Sequence, residues 1–152
     1  MALRQGSERH PLIPTNRGKT LSTPSRDFPE VISVCRNLIY NSRMKMNDIP
    51  FGITDWSQVP VSEHPGETGS ATWKTCEFGS TRVRMVEYSP GYLADHWCNR
   101  GHILLVLEGA LTTELANGEV VTVEAGSSYQ VGNDVEAHRS STREGVRLFI
   151  VD

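Results

Sequence analysis

The run DHWCNRGH, Asp95 to His102, places two of the chain's five histidines and one of its three cysteines within seven residues. Imidazole nitrogen and thiolate sulfur are the donor types that hold borderline transition metals. On a strand, residues two apart face the same way, so His96 and Cys98 are expected on one side and Trp97 on the other. Asn99-Arg100-Gly101 can turn tightly, because Asn and Gly tolerate positive φ, and an antiparallel strand opening at His102 would then lie beside them. Beyond a turn at Gly126 and a short strand, His138 offers a fourth donor from a distant segment. A lone histidine is usually a satisfied polar group and a lone cysteine a small buried hydrophobe. Three donors spaced H-x-C-x-x-x-H at strand ends form a stronger pattern, and with His138 they point to a metal held by His96, Cys98, His102 and His138.

Other residues could serve such a site. In TRVRMVEY, Val83, Met85 and Glu87 share a face by alternation, so an inward apolar pair would carry the Glu87 carboxylate inward as a general-base or ligand-binding candidate. A bulge before Pro90 would instead turn Glu87 outward. Arg82 and Arg84 fall on the opposite face, where an exposed edge or an interface salt bridge is expected. Either Tyr129 or Gln130, but not both, should line a ligand pocket, since neighbours on a strand point to opposite sides. Asp95 should face away from His96 for the same reason. Trp56, Trp73 and Trp97 are expected to pack, His64 to sit in an entrance loop, and Cys76 to be buried and inert.

These residues must be positioned by strands. WKTCEF, TRVRMVEY, HILLVLEG, ALTTELANGEVVTVEAG, SSYQV and VRLFIV are short, rich in β-branched residues and separated by Gly, Pro or Asn. Asn117-Gly118 between alternating runs is a hairpin signal. No segment shows ten or more residues of apolar 3.6 periodicity, so the fold class is all-β, a sandwich or barrel.

At 152 residues the chain fits one ordinary domain. Residues 1 to 45 carry four of the eight prolines and eight Lys/Arg against three Asp/Glu, leaving seven against fifteen for the remainder. That segment shows no sustained period. Its readings are, in order, sequence upstream of a natural start at Met46, an unpacked tail, and a targeting segment. The domain proper is then residues 46 to 152. The basic segment lacks interleaved aromatics, so no nucleic-acid partner is expected. Apolar runs such as ILLVL fall far short of the roughly 18 residues of a spanning helix, so no membrane is expected either. Three cysteines without a C-x-x-C spacing argue against a disulfide framework and for a reducing, cytoplasmic setting.

The motifs resemble those of the cupin superfamily. The first cupin motif is matched by Gly91, four residues, His96-x-Cys98, three residues, His102, and six residues to Gly109; the second by Gly126, five residues, Gly132-x-Asp134, three residues and His138. The match runs from Phe78 to Asp152. The D-H-W-C run and the ending HRSST…LFIVD look similar to a small group of bacterial single-domain cupins named for an Asp-His-Cys-Trp motif, whose members begin close to FGITDW. The resemblance implies a double-stranded β-helix, or jelly-roll barrel, and puts His96, His102 and His138 at metal-ligand positions, with Cys98 replacing the second motif histidine. His102 stands where the family has a glutamate. Loss of that hard oxygen donor moves the preference from Mn²⁺ towards Zn²⁺, Fe²⁺, Ni²⁺ or Cu.

Four bound side chains would close the site around a structural Zn²⁺, whereas three histidines with Cys98 standing off would leave open positions, as in cupin thiol dioxygenases. The expected function is a metal-dependent enzyme on a small molecule, oxygenase-like or an isomerase or hydrolase. Its rivals are a small-molecule or redox-sensing cupin and a Zn-stabilised interaction module. Single-domain cupins of this kind commonly pair as homodimers.

Overall fold

The computed structural model describes residues 49–152, and the expectations for residues 1 to 45 lie outside them. Eight strands follow in order: β1 (Val61–Pro65), β2 (Ser70–Phe78), β3 (Thr81–Tyr88), β4 (His102–Leu115), β5 (Val120–Glu124), β6 (Ser128–Val131), β7 (His138–Ser141) and β8 (Val146–Val151). Every pairing is antiparallel. The expected all-β class is what the chain adopts.

The long strand β4 joins two sheets. Its first half lies between β8 and β6, in the sheet that continues through β3 and β2 to β1. Its second half lies between β5 and β7. A register shift between Val106 and Glu108 makes this possible. Before it His102, Leu104 and Val106 face inward; after it Leu111, Thr113 and Leu115 do, so the inward parity changes from even to odd. A bulge adds one residue to one strand only, which bends it and moves the following residues to the other face. Gly109, with φ of 78°, sits at this corner, and a Cβ there would meet the Gly145 carbonyl oxygen at 2.4 Å.

The core is Val86, Leu104, Val106, Leu111, Val123, Val146, Leu148 and Ile150, drawn from both sheets. Each such side chain contributes about 1.5–3 kcal/mol on full burial. The Asn117-Gly118 hairpin forms between β4 and β5: Leu115 N donates to Glu119 O at 2.8 Å, and Asn117 Oδ1 accepts from Glu119 N at 2.8 Å. Two strands were not apparent in sequence. β1 lies in what reads as a loop, and His64 on it stacks on Trp73 with ring centroids 3.7 Å apart. β7 is four residues long, too short to show a period.

Alternation in β3 runs opposite to the inward Val83-Met85-Glu87 expectation. Arg84 and Val86 are buried, and Glu87 is exposed beside Arg147 of β8 in register. Period 2 identifies residues that share a face but not which face is inside. Here Val86 packs in the core, and Arg84 is tolerated inside because Asp152 meets it.

Candidate metal centre

Cys98, His102 and His138 each offer a donor atom, and these atoms lie within 4.8 Å of one another. Three separate elements bring them there. His102 opens β4 on its inward face, where Gly101 lets the chain pass close to Asn133; Gly101 N donates to Asn133 Oδ1 at 2.8 Å. His138 opens β7. Cys98 lies in an otherwise irregular segment, pinned to His138 by an isolated antiparallel bridge.

The tautomer of the neutral His138 ring follows from its partner. Nδ1 lies 3.0 Å from the Glu136 carbonyl oxygen, which can only accept, so Nδ1 carries the proton and Nε2 presents a lone pair. That Nε2 is buried and has no hydrogen-bond partner. An orphaned acceptor of this kind costs stability unless something binds it. His102 Nε2 lies 3.1 Å from the Tyr129 hydroxyl. Burial, then the neighbouring His138 and Arg84, pushes the His102 pKa down to about 4, so its ring is neutral at ordinary pH. His102 is therefore in the form that ligates, and the neutral tautomer of His138 presents Nε2 towards it.

His96 does not join this group. Asp95 and His96 form a bend rather than a strand, so the parity that would align His96 with Cys98 does not apply. The His96 side chain is 70% exposed at the cavity rim, and its Nδ1 donates to Asp95 Oδ1 at 2.6 Å. The bend also brings Asp95 to its neighbour instead of facing it away. That hydrogen bond holds the Asp95 carboxyl below the usual carboxylate range.

The three donors open onto a cavity of about 240 Å³ walled by Trp73, Tyr88, Tyr92 and Tyr129. Tyr129 is thus the inward member of its pair, and Gln130 is exposed on the outer side of β6. Glu87 lies outside this cavity too, so of the three ligand-lining candidates Tyr129 alone lines it, the one member of the Tyr129–Gln130 pair that alternation allows. Beside Glu87 and Gln130 alike the adjacent inward residue is one that packs: Val86 in the core and Tyr129 against it.

Sequence reasoning missed the polar cluster on the same wall. Arg82 holds Asp152 through two hydrogen bonds, Nε to Oδ1 at 2.8 Å and Nη2 to Oδ2 at 2.7 Å, and Arg84 Nη2 adds a third to Oδ2 at 2.6 Å. Burial pushes Asp152 up, but the Arg82 hydrogen bonds and both guanidinium charges outweigh it and hold the carboxyl low. Arg84 lies 4.6 Å from the Trp73 ring centroid. The sequence signal was two arginines at i and i+2, flanking Val83, in TRVRMVEY.

No protein-family model matches the chain, and no curated protein matches it in sequence. Solved structures do match in shape. A predicted oxalate decarboxylase from Thermotoga maritima superposes with a TM-score of 0.57 at 14% identity, over 66% of this chain and 96% of that one. An RmlC-like cupin from Shewanella frigidimarina gives 0.56 at 16% identity, over 68% and 91% of the two chains. The fold is that of the cupins. A cupin-2 domain from Rhodospirillum rubrum agrees, at 0.54 and 17% identity over 67% and 74%. Identities this low carry the cupin barrel and leave the activity to be argued from this chain's own residues.

Proposed function

We propose that this cupin binds a divalent transition metal through Cys98, His102 and His138 and acts as a metal-dependent enzyme on a small molecule. The buried, unpartnered Nε2 of His138, converging with a thiol and the neutral His102 imidazole, carries this reading. The donor set fits Zn²⁺, Fe²⁺, Ni²⁺ or Cu; with no carboxylate in the cluster, Mn²⁺ suits it less. Because His96 lies outside, the set has three protein donors, the pattern of catalytic centres rather than of closed structural ones.

A metal held there would supply Lewis acidity and open positions for water or substrate. The chain's own residues do the rest. Glu136 O orients the His138 ring, burial and Arg84 keep His102 neutral, and the aromatic wall limits water. His96, at the solvent edge of the same cavity and hydrogen-bonded to Asp95, passes a proton between solvent and a bound molecule in this reading.

The Asp95-His96-Trp97-Cys98 run supports the narrower kinship with the group named for an Asp-His-Cys-Trp motif, and the free Cys76 and Cys98 support a reducing, cytoplasmic setting. Among the described residues no helix is long and apolar enough to cross a membrane. Ile103, Leu107 and Val61, exposed on the outer sheet, support a homodimer through that face. The direct test is metal content by plasma mass spectrometry. Near-stoichiometric metal in wild type and none in His138→Ala is the expected result; no metal in wild type after reconstitution sinks the reading.

A further inference from the structure

The cavity beside the proposed metal is cationic in an acidic domain. From Met46 onward the chain has seven Lys/Arg against fifteen Asp/Glu, yet among the described residues Arg82, Arg84 and Arg100 all line this cavity and Asp152 supplies the single side-chain carboxylate in its wall. Asp152 is already held at both oxygens by Arg82. Arg84 shares one of those oxygens through Nη2 alone, and its Nε, fully buried, has no partner. The residue as a whole is 8% exposed. Two guanidinium charges therefore face one carboxylate, and a buried charge without its own counterion is costly. A second buried donor without a partner, Trp73 Nε1, belongs to the ring against which Arg84 lies. Unspent donors and surplus positive charge call for a ligand that is anionic and all acceptor.

We propose that Arg84 is the anchor for a small carboxylate, held in the cavity that the Cys98, His102 and His138 donors share. The class follows from two features. Around Asp152 two guanidiniums share one side-chain carboxylate, which leaves one charge to match one further carboxylate, and about 240 Å³ suits a compact organic acid rather than a nucleotide. Asp152 fixes one edge of the guanidinium and Trp73 one face, so the donors stand preorganised and lose little side-chain entropy on binding. The anchor itself needs no metal; that the carboxylate belongs to a substrate rests on the metal-centre reading above.

The test is titration of the full chain, chelator-treated and Zn²⁺-loaded, with acetate and malonate, with their neutral amides acetamide and malonamide, and with inorganic phosphate. Binding is read by calorimetry and by the ¹⁵N side-chain resonances of arginine. We expect the carboxylates to bind, the amides not to, and Arg84→Gln to weaken malonate by about 10- to 100-fold, the loss of a charge-assisted hydrogen bond. The exposed Arg147→Gln should change nothing. Should Arg84→Gln fail to fold, Arg84→Lys keeps charge and stem but loses the fork, and should weaken malonate more than acetate. The wild-type Nε–H resonance moving on malonate addition supports the anchor without any variant. Amides binding as well as acids, Arg84→Gln binding malonate like wild type, or phosphate outcompeting malonate would each overturn the proposal. His138→Ala separates the two readings: malonate binding retained with metal lost supports the anchor, and malonate binding absent from a wild type that holds metal overturns it alone.

Discussion

Cys98 and His138 face each other as a hydrogen-bonded antiparallel pair, Cys98 N donating to His138 O at 2.8 Å and His138 N to Cys98 O at 3.0 Å. Residues so opposed put their side chains on one side of the ladder. Backbone, not flexible side chain, therefore brings sulfur and imidazole together, and the site is rigid before any ligand arrives. Losing either donor should cost more than the roughly 10- to 100-fold in metal affinity that loss of an outer partner costs. Competition with a chromogenic chelator measures this for Cys98→Ala, His102→Ala and His138→Ala.

His96→Ala should keep wild-type metal content, because its side chain pairs with Asp95 at the rim. If His96 acts there in proton transfer, its loss lowers turnover and shifts the pH profile while leaving metal in place. Metal lost on His96→Ala would restore the four-donor site instead.

Acid should destabilise the metal-free protein in two stages. His102 takes its proton in the unfolded chain near its ordinary value, about 6.5, but in the folded chain only at about 4. The unfolded state thus binds more protons between those values, and stability falls as pH drops through that window. Asp152, held low in the fold, stabilises above its unfolded value of about 3.9 and loses that contribution as pH falls further through the folded value. Thermal midpoints from pH 7 to 3 should fall throughout, and His102→Gln should flatten the upper part.

Leu148 is fully buried between the sheets. Leu148→Ala should cost about 2–5 kcal/mol in urea unfolding, the lost transfer energy plus a cavity. Ile103→Ala, on the exposed outer face of β4, should change the monomer's stability by about 0.5 kcal/mol or less.

Gly109→Ala should cost more than about 1 kcal/mol although it adds a single methyl. The position has φ of 78°, and the new Cβ would strike Gly145 O. Since the corner sets the inward parity of β4, circular dichroism and unfolding slope should report a loosened barrel as well as a lower midpoint.

The sequence by itself determined the local matters. β-branched alternation and the Asn117-Gly118 turn specify strands and a hairpin, because the pleat and positive φ are properties of a few neighbouring residues. The chemical types His, Cys and His in cupin order were visible for the same reason. Only the tertiary structure decided which faces turn inward and which donors meet. Alternation is symmetric between faces, so β3 could not announce that Arg84 rather than Glu87 is inside; that depends on Asp152, 68 residues away. The spacing of His96 and Cys98 implied a shared side only if that stretch were a strand. It bends instead, because the Cys98–His138 bridge, a pairing 40 residues apart in the chain, sets the path. Partners brought together by folding carry no local signature, and the composition of this site is a matter of such partners.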